Sequence, residues 1–225
     1  MATNSLADNV TQAVADFRAI KTAIEGYGVT VSGPTSGYAA LMGDAANKHW
    51  FDNAKDRSTF AYAFYGNSTP EGVTTLDFGN LSATAAVTDF QQMLANNARI
   101  KIVDNLNTTA ATSIYMMCQG ATELEELRGF ISLYNASNTN QTKYAFSGAP
   151  KLKRIDFADT IRQNSLNLSG SPLLERDTLL TMINCLEDKT GDTSATWAVE
   201  IGATNLAKLS AEEIAIATAK NWSIA

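Results

Sequence analysis

Three kinds of side chain in this sequence have the chemistry to cleave, ligate or transfer: one histidine, two cysteines and a set of carboxylates. His49 stands in Lys48-His49-Trp50-Phe51. A general base needs a partner within hydrogen-bond reach, and zinc needs several nitrogen, sulfur or oxygen donors. A lone imidazole beside two aromatic residues has no such companions in the sequence, and reads as a packed or half-exposed residue where a domain begins. Cys118 and Cys185 are far apart and fall on apolar patterns, so they read as buried thiols rather than a disulfide or a nucleophile.

The acids come in two contexts. Glu123-Glu125-Glu126 and Glu212-Glu213 fit solvated faces better than paired catalytic carboxylates. Asp77, Asp104 and Asp156 each follow an apolar residue directly, and calcium uses such oxygens, but the loop spacing of an EF-hand is absent. No GxGxxG, Walker A or GxSxG pattern occurs, so neither a glycine-rich phosphate cradle nor an elbow nucleophile is expected. The expectation is a protein that is not an enzyme, with no catalytic residue, cofactor or metal.

The elements that hold these residues repeat. Ala63-Phe64-Tyr65-Gly66, Met93-Leu94-Ala95-Asn96, Met117-Cys118-Gln119-Gly120 and Ala145-Phe146-Ser147-Gly148 are copies of one small turn. Each precedes an apolar pair three residues apart: Val73 and Leu76, Ile100 and Val103, Leu124 and Leu127, Leu152 and Ile155. The second turn residue advances from Phe64 to Leu94, Cys118 and Phe146, in steps of 30, 24 and 28 residues. A repeat of about 20–30 residues on a Leu/Ile skeleton predicts a solenoid of the leucine-rich type, whose usual work is to present a surface. The apolar pair with its acid predicts a brief strand facing inward. The turn predicts positive φ at Gly66, Gly120 and Gly148. The Asn/Ser/Thr-rich stretch from Asn135 to Thr142 reads as a variable, solvated crossing.

Leu166 to Leu174 reads as a fifth, shorter coil. The tail then has to cover the raw end of the stack. An amphipathic helix is predicted from Asp177 to Lys189, with Leu179, Leu180, Ile183 and Leu186 on its apolar side. A strand is predicted from Thr196 to Ile201. A helix follows, capped by Ser210 in a box with Glu213 and running through Ile214, Ile216 and Ala217, and Trp222-Ser223-Ile224 closes as a last strand.

At the front, Leu6, Val10, Ala13, Phe17, Ile20 and Ile24 are spaced alternately four and three apart, a heptad seam with Gly26 and Gly28 to end it. A helix of about three heptads needs a partner for its stripe. That partner is either the chain's own body or identical helices of other subunits. The position at a terminus ahead of a glycine break favours the second.

A net charge of −6 argues against a phosphate-binding surface, so no nucleic-acid partner is expected. No stretch approaches the ~20 apolar residues of a membrane span, so no insertion is expected. The opening Met1-Ala2-Thr3-Asn4-Ser5 has no basic region and no apolar run, and is not expected to be a secretory signal. Asn-x-Ser/Thr triplets, as at Asn9, Asn67, Asn80 and Asn167, read as chance and solvent-facing turns.

The repeats, above all Ala145 to Asp156, resemble the BspA-type leucine-rich repeat of bacterial surface proteins. The segments Pro172-Leu173-Leu174, Met182 to Gly191, Ile201 to Leu209 and Ile214 to Trp222 resemble a C-terminal module common in phage and prophage proteins of gut bacteria. The stretch through Gly28-Val29-Thr30-Val31 and Thr35 to Met42 is similar to the attachment ends of phage fibre and tail proteins. Two positions depart from these patterns: Asn221 stands where the module usually has Gly before Trp, and Arg128 replaces the repeat Asp after Leu127.

The resemblance implies an α/β protein in four parts. These are an N-terminal oligomerising, coiled-coil-like helix over 1–28, a connector over 29–50, a short irregular leucine-rich-repeat solenoid over 51–172 and a C-terminal α/β cap over 173–225. It implies a structural component of a phage virion appendage, similar to the head or tail fibres of crAss-like phages, assembled in the bacterial host cytoplasm. By analogy with fibres the homo-oligomer would be a trimer joined through Leu6, Val10, Ala13, Phe17, Ile20 and Ile24, with capsid or tail proteins as further partners. The alternative is a surface adhesin module holding a host glycan or protein. A depolymerase would need a carboxylate cluster on one face, which the pattern does not offer.

Overall fold

The structure is a computed structural model in which residues 59–66, 69, 72–136 and 139–225 are described. The expected N-terminal helix over 1–28, the connector over 29–50 and His49 lie outside the described residues.

The described chain is a mixed α/β fold on a parallel sheet. Strands β1 (Thr75–Asp77), β2 (Ile102–Asn107), β3 (Glu126–Ser132) and β4 (Arg154–Ala158) lie side by side in chain order. Leu76, Val103, Leu127 and Ile155 stand in register across them, in steps of 27, 24 and 28 residues. Each is at most 1% exposed. The second member of every apolar pair is therefore the inward residue of a strand, and the polar residues beside it face out.

The repeated turns form a second line of parallel contacts. Thr59 bridges Asp89, and Asp89 bridges Ser113. Phe64 N donates to Met93 O at 2.9 Å, Leu94 N to Met117 O at 2.7 Å, and Cys118 N to Ala145 O at 2.7 Å. Phe64, Leu94, Cys118 and Phe146 stack beneath these bonds with no exposed surface. The core thus lies between the strand ladder and the turn ladder. At its first layers it is aromatic: Phe60 stacks on Phe90 at 5.9 Å and meets Phe78 edge-on at 5.4 Å.

Positive φ recurs at one turn position, at Gly66, Asn96, Gly120 and Gly148, as the turn predicts for its glycines. Stacking adds a second demand for glycine. A Cβ on Gly120 would sit 2.7 Å from Asn96 Oδ1, and one on Gly148 3.3 Å from Gly120 N.

The crossing expected over Asn135 to Thr142 is not wholly irregular. It enters a helix, α1 (Thr139–Tyr144), that is tied down by polar groups. Gln141 Oε1 accepts from Ile114 N at 2.7 Å, Thr142 is fully buried, and the Tyr144 ring meets Tyr115 edge-on at 6.0 Å. The segment read as a fifth coil buries Leu166, Leu168 and Leu174 but forms no strand beside β4. Its Asn167 bridges Glu200 in the tail instead.

Helix α2 (Arg176–Cys185) is shorter than the predicted Asp177 to Lys189. Leu186 turns extended, at φ −60° and ψ 130°, and bridges Ile161. Its buried face is Thr178, Leu179, Met182 and Ile183, with Leu180 only half-buried. The tail continues through β5 (Trp197–Val199), α3 (Ala203–Leu206), α4 (Ala211–Ala219) and β6 (Trp222–Ile224), with β5 and β6 paired in parallel. Ser210 and Glu213 form the predicted capping box in both directions. Ile216 is 40% exposed, contrary to the apolar pattern, because the short α4 buries only Ala217. Two lysines fasten the tail. Lys208 Nζ donates to Pro172 O and Leu174 O, and Lys220 Nζ to Ile183 O, Asn184 O and Leu186 O. Asn221, at φ +65°, holds the turn before Trp222 by donating to Lys189 O and Asp192 O.

Candidate functional surface

Among the described residues the cysteines are buried or half-buried, and the repeat acids are engaged in hydrogen bonds and ion pairs. Cys118 is completely buried and Cys185 half-buried. Burial pushes both thiols up from their ordinary range, which keeps them protonated and weakly nucleophilic at neutral pH. Asp77, Asp104 and Asp156 come onto one outer face of the sheet, but each carboxylate is engaged. Asp77 accepts from Gly79 N and Asn105 Nδ2, Asp104 lies 3.7 Å from Arg128, and Asp156 accepts from Gly129 N and pairs with Arg154 at 2.6 Å. Among the described residues no group of three potential ligands is poised for a metal ion. Arg128, the departure from the repeat acid, bridges this face, with its Nε 2.7 Å from Glu126.

The acidic run Glu123-Glu125-Glu126 is not simply solvated. Every member is paired: Glu123 with Lys151 at 2.6 Å, Glu125 with Lys153 at 2.7 Å, and Glu126 with Arg128. Lys101, Glu125, Lys153 and Glu175 follow one another through backbone bonds of adjacent layers, so charge alternates along the stack. Where β4 meets α2 an open cleft of about 450 Å³ is lined by Arg154, Asp156, Glu175, Asp177, Thr178 and Thr181. It offers carboxylates and hydroxyls around one arginine already committed to Asp156.

The ladder makes stability pH-dependent. The hydrogen bond from Lys153, and then its charge, hold Glu125 below the ordinary 4.5, and the same bond raises Lys153 above 10.5. A depressed carboxylate stabilises above its unfolded pKa, and that contribution is lost as pH falls through the lower folded value. A raised lysine contributes below its unfolded pKa and loses that contribution as pH rises through the folded one. The pair therefore works between these limits. Lys153→Gln is expected to flatten the fall of Tm below about pH 4.5, and 1 M NaCl to mimic it in the parent protein. Thermal melts from pH 3 to 7 check this, and parallel parent and variant curves would contradict it.

The turn side of the stack is different in character. Residues 59–66 carry no charged side chain, and in 89–96 only Asp89 is charged, its carboxylate accepting from Gln91 N at 2.9 Å. Tyr62 and Tyr65 are 51% and 42% exposed, with ring centroids 6.0 Å apart. Amides of the next layer hold both hydroxyls: Gln91 Nε2 donates to Tyr62 Oη at 2.9 Å, and Asn96 Nδ2 to Tyr65 Oη at 3.3 Å. Tyr115 occupies the position of Gln91 one layer further on, as the bonds from Tyr62 N to Gln91 O and from Gln92 N to Tyr115 O require. In the sequence Tyr65 and Asn96 stand out only as members of the repeated turn, and Tyr62 and Gln91 not at all. The available signal was tyrosine at the free position of the turn, next to amides one repeat away.

The predicted oligomer residues Leu6, Val10, Ala13, Phe17, Ile20 and Ile24 lie outside the described residues. No helix among the described residues is long and apolar enough to cross a membrane. Comparison with protein-family models, with curated proteins and with solved structures found no match.

Proposed function

We propose that the stacked layers form a short, irregular leucine-rich-type solenoid closed by an α/β cap, and that the chain is a structural component of a phage virion appendage, a head or tail fibre. Its N-terminal heptad helix anchors the protein and joins three copies, and the layers are displayed outward. The supporting observation is the in-register column Leu76, Val103, Leu127 and Ile155, with the tail bridging onto the last coil through Asn167 and Glu200. An array of this kind buries one continuous core and spends its outer faces on contact. The sequence resemblance to phage fibre proteins supplies the virion and its capsid or tail partners.

Mass spectrometry of purified particles tests the reading: the protein is expected in fixed stoichiometry, in a multiple of three copies. Absence from particles overturns it. Light scattering of the full chain and of a form lacking residues 1–28 is expected to give a trimer and a monomer, and two monomers would remove the role of the seam. The second reading, an adhesin, is favoured by the exposed tyrosine pair on the turn face.

A further inference from the structure

The turn face around Tyr62 and Tyr65, where segments 59–66 and 89–96 carry no charge besides Asp89, has a composition that selects its ligand class, and we propose that Tyr62 and Tyr65, with Gln91 and Asn96, form a binding site for a neutral saccharide. The inference deepens the reading that the layers are displayed outward.

Two exposed rings three residues apart on one turn, with centroids 6.0 Å apart, offer electron-rich faces to the C–H faces of a sugar ring. Their hydroxyl oxygens are held in place, because each accepts a hydrogen bond from an amide of the following layer. An oxygen that accepts there still has its own proton to donate, and the Gln91 side-chain carbonyl can accept. This mixture of fixed donors and acceptors matches a ligand made of hydroxyl groups. The rings are also oriented before any ligand arrives, which lowers the ordering cost of binding.

Other classes fit less well. A nucleic acid or an acidic polymer needs lysine or arginine, and residues 59–66 and 89–96 contain neither. A folded protein partner of ordinary affinity covers roughly 800 Å² on each side. Here the centre is two rings and two amides. The charged sheet face is occupied by its own ion pairs, so the two faces of the stack differ in what they leave available.

The test uses the full chain on an array of neutral and acidic glycans, followed by saturation-transfer NMR with the best neutral oligosaccharide. Binding is expected among neutral glycans, with the transfer signal reduced about tenfold in Tyr62→Ala/Tyr65→Ala. Gln91→Ala keeps both rings and is expected to weaken binding a few-fold; this variant decides the matter if the double variant fails to fold. Arg128→Gln, on the sheet face, is expected to bind as the parent does. No neutral glycan bound, or a signal unchanged in both the double variant and Gln91→Ala, overturns the proposal. Self-association that is lost in Tyr62→Ala/Tyr65→Ala, without saccharide binding by the parent, also overturns it and assigns the face to a second copy. Particle composition is measured separately, so a protein absent from virions that still binds saccharide refutes the appendage alone.

Discussion

Gly129→Ala is expected to lower the unfolding free energy by about 4 kcal/mol, from overpacking of about 1–3 kcal/mol added to backbone strain of similar size. Gly129 sits in the middle of β3 at φ +133°, a region that residues with a Cβ rarely enter. A methyl there would lie 2.2 Å from Leu106 O and 2.8 Å from Leu106 N. Those atoms are backbone of the neighbouring strand, so no rotamer change can clear them. The register explains the close approach. Both ladders that β3 makes shift at this point, between Val103 and Leu106 on one side and between Leu127 and Ile131 on the other. The shift leaves Gly129 N to Asp156 Oδ2, which accepts it at 3.0 Å. Urea denaturation of Gly129→Ala beside Gly79→Ala gives the comparison. Gly79 also has positive φ but open space where a Cβ would go, so its alanine is expected to cost about 1 kcal/mol. Equal losses at the two sites would mean that β2 moves aside freely.

Gly129 also marks where the sequence stops being readable. The inward column Leu76, Val103, Leu127 and Ile155 was legible because an apolar residue just before a polar one, at a nearly fixed period, has few other structural explanations. The turn column Phe64, Leu94, Cys118 and Phe146 was legible for the same reason. The capping box at Ser210 rests on local chemistry that needs no long-range partner. A glycine one residue beyond a charged Arg128 carries no comparable local signal. Its necessity comes from a backbone in another repeat.

The same division runs through the helices and polar groups. The pattern from Asp177 to Lys189 is amphipathic, but Leu186 is claimed by Ile161 of the preceding coil, and a long-range bridge ends α2 early. Thr142 and Gln141 belong to a stretch whose composition suits solvent, yet one is buried and the other satisfies the Ile114 backbone. Positive φ at Tyr62, Gln92 and Met116 recurs at one turn position with no glycine to announce it. The tyrosine pair was missed because its meaning lies in amides 29 and 31 residues away.

Asn97→Leu puts the strongest case for such hidden polar groups, and it is expected to destabilise by about 3–5 kcal/mol. Asn97 has no exposed surface. Its Oδ1 accepts from Arg99 N and Ile100 N, both at 2.9 Å, and its Nδ2 donates to Phe64 O at 2.8 Å and Thr69 Oγ1 at 3.4 Å. One side chain therefore shapes the turn leading to β2 and ties it to the turn before. Leucine fills a similar volume and adds buried apolar surface worth up to about 1.5–3 kcal/mol. It also removes the acceptor of the buried Ile100 N and one bond each from Arg99 N and Phe64 O, losses of about 1–3 kcal/mol each. The two effects have opposite signs, so the direction of change decides between them. Guanidinium denaturation at pH 7 is expected to shift the midpoint down with the slope unchanged; a midpoint that stays or rises would mean that apolar packing outweighs these bonds. Asn205, equally buried and donating to Ser171 O and Ile201 O while accepting from Lys208 Nζ, fills the same office in the tail. A matching loss in Asn205→Leu would show that a buried amide bridging adjacent layers is a general lock of this stack, independent of which apolar residues surround it.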